Sequence, residues 1–179
     1  MKIHVQTERL ILRDLEISDA EGIFKLDSDP DVHEFLGKKP IQSIDQAREI
    51  IEFIRKQYIK NNIGRWAIID KTSGDFIGWS GLKYEEGLRE DFNYYDLGYR
   101  LRKEYWGKGI ATESAKASLK YGFEQLSLKE IGAAADVNHI VSNKILKNIG
   151  MRFIDRFDYD SQPHNWYKID RLDWEQNCR

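Results

Sequence analysis

The chain has 179 residues, of which 41% are hydrophobic and 32% are charged. These values are typical of one ordinary soluble domain and not of a fibrous or disordered chain, so we expect a single domain over residues 1–179. The 28 basic and 30 acidic residues give a net charge of −2. This balance argues against general binding to nucleic acids or anionic membranes, which depends on neutralising many phosphates.

The compartment is indicated by cysteine usage and by the N-terminal segment. The one cysteine, Cys178, lies next to the C-terminal residue, so no disulfide framework or metal-thiolate cluster is expected. His4 and His33 have no partners at metal-ligand spacing, which predicts surface residues and no metal site. The chain begins without an apolar signal region, and no window approaches 18 apolar residues. We therefore expect a cytoplasmic protein.

The first half of the chain predicts one strand and two helices. Residues 10–13 form an apolar strand pattern. Ser18 with Glu21, and Ser43 with Gln46, have the spacing of capping boxes that begin helices. The second helix has an apolar stripe at steps of three and four: Ile44, Ala47, Ile51, Ile54 and Tyr58.

The second half predicts mainly strands. Residues 66–69 and 76–82 flank a turn-rich loop as a hairpin, and residues 94–101 form another strand. Further segments are a helix ending near Leu126, a strand at 131–135, a helix ending at Gly150, and strands at 151–157 and 166–172. This order predicts an α+β fold with a mixed, mainly antiparallel sheet.

The segment at residues 105–112, Tyr-Trp-Gly-Lys-Gly-Ile-Ala-Thr, lies between a predicted strand and an amphipathic helix. Glycines let such a loop turn tightly, and its N–H groups together with the helix N-terminus favour an anion such as a pyrophosphate. A P-loop is disfavoured because no Gly-Lys-Ser or Gly-Lys-Thr occurs, and a dinucleotide fingerprint because Thr112 stands at its last position. A glycine turn that only caps the helix remains open.

Residues 106–111 are similar to the acyl-CoA pyrophosphate motif of the GNAT N-acetyltransferase superfamily, [QR]-x-x-G-x-[GA], with Trp106 at the first position. Other matching segments lie at residues 7–13, 18–21, 76–78, 97–99 and 111–113, and Ser142 precedes Gly150 by eight residues. Together they resemble the branch named for N-terminal acetylation of ribosomal proteins, in which a Trp-Gly-x-Gly sequence commonly fills the motif.

The resemblance implies a three-layer αβα fold in which two central strands splay apart and admit acyl-CoA. Tyr99 and Leu101 would then lie along the pantetheine, and Ser142 near the thioester. His139 stands where the family usually has Asn, with Asn138 one residue early. The pyrophosphate would be held by the loop residues Trp106, Gly107, Lys108, Gly109, Ile110, Ala111 and Thr112.

Direct transfer of an acetyl group to an amine needs a base for the amine and a proton for the leaving thiolate. Asp96 is our first candidate for the base and Asp136 the second, acting directly or through water, against the alternative of solvated strand-end carboxylates. Ser142 could hydrogen-bond or protonate the thiolate, or could make a plain N-cap or first-turn contact. Cys178 is too close to a terminus to be a confident nucleophile.

These features predict an N-acetyltransferase that moves an acetyl group from acetyl-CoA to a primary amine, on a protein N-terminus or a small molecule. The alternative is a non-catalytic acyl-CoA-binding sensor or scaffold. The acceptor is not encoded in a readable motif, because the loops at residues 29–60 and 84–92 carry none. The sequence also leaves open whether the protein is a monomer or a homodimer, since an aromatic final strand with Trp166, Tyr167 and Trp174 could close the sheet or pair between subunits.

Overall fold

The computed structural model describes residues 2–177. It contains one eight-stranded sheet with the spatial order β1-β2-β3-β4-β5-β6-β8-β7. The strands are β1 (Ile3–Gln6), β2 (Leu10–Asp14), β3 (Arg65–Asp70), β4 (Phe76–Glu85), β5 (Tyr94–Leu101), β6 (Glu130–Asp136), β7 (Arg152–Tyr159) and β8 (Gln162–Asp170). Neighbouring strands are antiparallel except for β5 and β6, which are parallel. The mixed, mainly antiparallel sheet is therefore confirmed.

Helices cover both faces of the sheet and give three layers. The helices are α1 (Ala20–Asp27), α2 (Ile44–Asn61), α3 (Ile110–Glu124), α4 (Ile140–Asn148) and α5 (Arg171–Asn177). On one face, α1 and α2 bury a cluster that includes Ile23, Ile51 and Ala67. On the other face, Leu119 and Leu146 from α3 and α4 belong to the larger core. None of the helices in residues 2–177 is long and apolar enough to cross a membrane.

The two predicted helix starts have different outcomes. The capping box of α2 is confirmed, because Ser43 accepts from the Gln46 N–H and Gln46 accepts from the Ser43 N–H at 3.2 Å. The box predicted at Ser18 and Glu21 is wrong, since Asp19 is the N-cap of α1. The Asp19 carboxylate is engaged instead by the Arg13 guanidinium at 2.7 Å and accepts from the Glu16 N–H. This ion pair connects the start of α1 to β2.

The two ends of the chain differ from the prediction. β1 was not predicted, and it pairs with β2 at the edge of the sheet. The last strand ends at Asp170, and Trp174 lies on α5, where it stacks on Phe123 at 5.1 Å. β8 lies inside the sheet with β6 and β7 as neighbours, so Trp166 and Tyr167 lie on an interior strand and β7 is the edge strand. Cys178 lies outside the described residues.

Candidate active site

The parallel pair β5 and β6 separates into a gap. Asp96 and Gly132 form the one register pair found between these two strands in the described part of the chain. Both strands continue beyond this pair, β5 as far as Leu101 and β6 as far as Asp136. The backbone of their C-terminal halves is therefore not joined by a ladder, and this is the splay that the resemblance implied.

Tyr99 of β5 and Ser142 of α4 meet across the gap. The Tyr99 hydroxyl lies 3.1 Å from the Ser142 Oγ and also donates to the Ser142 carbonyl at 3.3 Å. Burial raises the pKa of Tyr99 to about 12, against a smaller opposing effect of the hydrogen bond with Ser142. The phenol is therefore protonated at neutral pH and can donate a hydrogen bond or a proton.

Asp96 is buried at the point where the two strands begin to separate. Its carboxylate forms an ion pair with Arg65, whose Nη1 also donates to the Asp96 carbonyl at 2.7 Å. Burial raises the pKa of Asp96, while the charges of Arg65 and Lys83 oppose this effect. Asp96 is thus not a solvated strand-end carboxylate. Arg65 was missed at the sequence level, although a charged residue at the start of an apolar strand could have signalled a buried partner.

The glycine loop is shaped by two left-handed residues. Gly107 has φ of 71° and Gly109 has φ of 76°, and Gly109 is the N-cap of α3. A Cβ at Gly107 would have no atom within 4 Å, so the space beside this residue is open. Within residues 2–177, the backbone N–H groups of Gly109, Ile110, Ala111 and Thr112 have no hydrogen-bond acceptor.

The free N–H groups of the loop have the chemistry that binding of the coenzyme's diphosphate requires. Four N–H groups at the N-terminus of a 15-residue helix form a concentrated site of partial positive charge. A diphosphate supplies several acceptor oxygens and negative charge, so the loop fits the pyrophosphate of acyl-CoA. The first N–H groups of any α-helix lack intrahelical acceptors, and Gly109 has no side chain to cap them, so a turn that only caps the helix remains an alternative.

Trp106 has a definite role at the position where the family usually has Gln or Arg. Its indole N–H donates to the Leu101 carbonyl at 2.9 Å, which ties the loop to the last residue of β5. The Trp106 side chain is otherwise exposed. Tyr99 lies two residues before Leu101, or about 7 Å along the strand, so this bond fixes the loop relative to the Tyr99 and Ser142 pair.

His139 and Asp136 lie at the other side of the gap. His139 is the N-cap of α4, and its Nδ1 accepts from the Ser142 N–H at 3.4 Å. His139 and not Ser142 is therefore the N-cap, whereas Ser142 lies in the first turn of the helix, as the other part of that alternative had it. The half-buried His139 ring stacks on Phe35 at 4.5 Å, and burial lowers its pKa. The Asp136 Oδ1 accepts from the Asn138 N–H at 2.7 Å.

A cleft of about 510 Å³ opens beside the ends of β5 and β6. Its walls come from the segment between α1 and α2, from Arg100 and Asp136 at the ends of the two strands, and from the turn between β7 and β8. Of the carboxylates in the lining, Glu34, Asp136 and Asp160 belong to three different segments. The lining also includes Phe35, Leu36, Gly37, Lys38, Lys39, Tyr159, Gln162 and His164.

The two histidines predicted at the surface are buried instead. The His4 Nε2 lies 2.6 Å from the Asp14 carboxylate, and its ring stacks on Trp66 at 4.6 Å. The His33 Nε2 lies 3.6 Å from Asp27, which also pairs with Arg100 at 2.6 Å. The sequence missed these pairings because they form between separate elements. In residues 2–177, no group of three or more His, Cys, Asp and Glu side chains could hold a metal ion.

Comparisons with known proteins agree with this geometry. The family model "Acetyltransferase (GNAT) domain" matches residues 9–152. The chain is 31% identical over 146 residues to "Uncharacterized N-acetyltransferase p20" of Bacillus licheniformis, covering 82% of this chain and 80% of that protein.

Solved structures share the fold. A spermidine N-acetyltransferase from Vibrio cholerae, in complex with CoA and spermine, has a TM-score of 0.76 at 20% identity, covering 94% of this chain and 99% of that chain. RimL, a ribosomal L7/L12 alpha-N-protein acetyltransferase in complex with coenzyme A, has a TM-score of 0.79 at 15% identity, covering 94% and 98%. Because the family model matches most of the chain, the protein belongs to the GNAT acetyltransferase family and is an acyltransferase.

Proposed function

We propose that this protein moves the acetyl group of acetyl-CoA to a primary amine, either a cationic small molecule or a protein N-terminal α-amine. One observation carries the proposal. The free N–H groups of Gly109 to Thr112 are fixed by Trp106 to the end of β5, next to the gap in which Tyr99 and Ser142 meet. A site for a diphosphate and a site for a thiolate are thus joined along one strand.

In this proposal, different residues bind the coenzyme, accept the proton of the amine and protonate the sulfur. The glycine loop binds the diphosphate, and the β5 backbone from Leu97 to Leu101, which has no ladder with β6, binds the amides of the pantetheine. The amine nitrogen forms a bond with the thioester carbonyl carbon, and the carbon–sulfur bond breaks. The proton of the amine passes to Asp96 through water, with Asp136 as the second candidate. The sulfur takes one proton from the hydroxyl of Ser142 or Tyr99, which share a hydrogen bond. That hydroxyl regains a proton from water, and Asp96 releases the proton of the amine to water.

The acceptor is proposed to enter through the cleft beside the ends of β5 and β6. The lining carries three carboxylates, from Glu34, Asp136 and Asp160, and three cations, from Lys38, Lys39 and Arg100. Its formal charge is therefore balanced, and a carboxylate can attract an amine only locally. An α-amine with a pKa near 7.8 costs about 1 kcal/mol to deprotonate at pH 7, whereas a lysine near 10.4 costs about 4.6 kcal/mol. An α-amine therefore needs less help from a base.

Similarity to known proteins supports both acceptor classes. One structural neighbour is named for spermidine and holds spermine. Another is named for the α-amino group of a ribosomal protein. Both acceptors are amines that are cationic at neutral pH, so each can pair with one carboxylate of the cleft.

The test is thiol release from acetyl-CoA at pH 7.5 with separate pools of basic N-terminal peptides, polyamines, aminoglycosides and free amino acids. Binding of CoA is measured in parallel by calorimetry. We expect CoA binding and thiol release with one pool. Binding without release in every pool would replace this function with a non-catalytic acyl-CoA-binding module, and the absence of binding would contradict the coenzyme assignment itself.

A further inference from the structure

The turn between β1 and β2 contacts the glycine loop through residues that are not part of the proposed active site. Thr7 and Arg9 lie on this turn, about a hundred residues before Glu113 in the first turn of α3. The Arg9 Nη1 donates to the Lys108 carbonyl at 3.0 Å. The turn is itself held by hydrogen bonds in both directions between Thr7 and Leu10.

Glu113 accepts several of these contacts at once. The Arg9 Nε donates to Glu113 Oε2 at 2.7 Å, the Arg9 backbone N–H donates to Oε1 at 3.3 Å, and the Thr7 hydroxyl donates to the same oxygen. Burial alone would raise the pKa of Glu113, but the hydrogen bonds from Thr7 and Arg9 outweigh it, so the pKa lies below its ordinary value. A network of this kind holds its members in place better than a single exposed ion pair.

The bond to Lys108 has a geometric consequence. The Lys108 carbonyl and the Gly109 N–H belong to one planar trans peptide, so they point in opposite directions. When Arg9 binds the carbonyl, the Gly109 N–H is directed away from Arg9. The Gly109 N–H is one of the free donors of the loop, and Arg9 therefore sets the orientation of a donor that it does not touch.

The network also has an electrostatic consequence. A carboxylate in the first turn of α3 is favourable for the isolated helix. Next to a bound diphosphate the same negative charge is repulsive, because the free N–H groups of residues 109–112 immediately precede Glu113. The Arg9 guanidinium, which lies 2.6 Å from the Glu113 carboxylate, compensates this charge.

We propose that Thr7, Arg9 and Glu113 form a positioning clamp for the pyrophosphate loop, in which Arg9 orients the Lys108–Gly109 peptide and neutralises Glu113. The clamp rests on the proposed function, because it acts on the site where the diphosphate of CoA would bind. Its residues are positioning residues, since they contact the loop and not the reacting atoms.

The experiment compares Arg9→Gln, Glu113→Gln and the double variant with the wild type. Calorimetry measures the Kd of CoA, and turnover is measured with acetyl-CoA and with S-acetylpantetheine, which lacks the diphosphate. Arg9→Gln is expected to weaken CoA binding at least about tenfold while turnover of S-acetylpantetheine stays within about twofold. The double variant is expected to bind CoA at least about threefold more tightly than Arg9→Gln, because the uncompensated carboxylate is removed.

Arg48→Gln is the matched control, because Arg48 also pairs with a carboxylate, Asp45, but on the exposed side of α2. This variant is expected to bind CoA like the wild type. The clamp is contradicted if Arg9→Gln binds CoA within about twofold of the wild type, or if turnover of both acetyl donors falls equally. Lack of CoA binding by the wild type would instead contradict the proposed function.

Discussion

The hydroxyls of Tyr99 on β5 and Ser142 on α4 lie 3.1 Å apart across the gap between β5 and β6. The two residues are 43 positions apart in the chain, Tyr99 packs against the main core, and β5 and α4 contribute Leu101 and Leu146 to that core. The pair is therefore held by the fold and not by local sequence. Because the pKa of Tyr99 is raised to about 12 by burial, its proton remains available throughout the neutral pH range.

Replacing Ser142 by Ala is expected to lower kcat at least about tenfold with little change in Tm. The reason is that Ser142 does not cap α4, so its hydroxyl can be removed without loss of a helix cap. Ser43→Ala is the matched control, because Ser43 does cap a helix and its loss costs about 1 kcal/mol. The control should lose stability and keep kcat. If Ser142→Ala behaved like Ser43→Ala, the chemical role of Ser142 would be wrong.

The glycine loop gives a second prediction. Gly107→Ala is expected to weaken CoA binding at least about tenfold, because a Cβ would occupy the open space beside the loop and strain a left-handed residue. Gly74→Ala is a close control, since Gly74 has φ of 77° against 71° for Gly107, and a Cβ has no atom within 4 Å at either position. Both variants should lose about 1–2 kcal/mol of stability from backbone strain. Equal CoA affinity in the two variants would argue against the loop as the coenzyme site.

The parts of the molecule that could be predicted from the sequence are those that local patterns determine. The apolar stripe of α2 and its capping box at Ser43 are set by neighbours within four residues, and both were found. β1 is only four residues long and depends on pairing with β2 and on the stacking of His4 on Trp66. No periodicity within such a short segment can reveal these contacts.

The same distinction applies to the site. The glycine loop is visible in the sequence because its two glycines lie two positions apart, whereas the contact between Arg9 and Lys108 joins residues 99 positions apart. The burial of Asp96 and its pairing with Arg65 likewise depend on the order of the strands, which the sequence pattern does not specify. Single residues of the right type were therefore found without the partners that set their chemistry.

The role proposed for Asp96 is tested by Asp96→Asn. This variant leaves Arg65 without its buried counter-ion, and a loss of about 3 kcal/mol in stability is expected. If Asp96 is the base, the variant also loses at least about tenfold in kcat/KM across pH 6 to 9, and its affinity for CoA is unchanged. Because burial raises the pKa of Asp96, its contribution to the fall in wild-type kcat/KM on the acid side should lie above the pH range of an ordinary aspartate and be lost in the variant.

Asp19→Asn separates the stability effect of Asp96→Asn from the chemical effect. Asp19 is also a buried carboxylate paired with an arginine, but it lies at the start of α1 and pairs with Arg13. The Asp19→Asn variant should lose stability and keep kcat/KM. If Asp96→Asn kept the same kcat/KM as Asp19→Asn over this pH range, Asp96 would be a structural partner of Arg65, and Asp136→Asn would test the second candidate.

His139→Asn introduces at the start of α4 the residue that the family usually has there, and it tests how His139 affects stability at different pH values. Asn also caps helices well, so stability at pH 7.5 should change by less than about 0.5 kcal/mol.

The pKa of His139 is lowered by burial, against the opposing charges of Asp136 and Glu34. The unfolded chain therefore takes up a proton first as the pH falls through about 6.5, and stability is lost from there down to the folded-state pKa. His4 and His33 have lowered pKa values as well and contribute to both proteins. Thermal unfolding from pH 7.5 to 5 should show a smaller loss for His139→Asn than for the wild type, and parallel curves would mean that the proton uptake comes from the other two histidines.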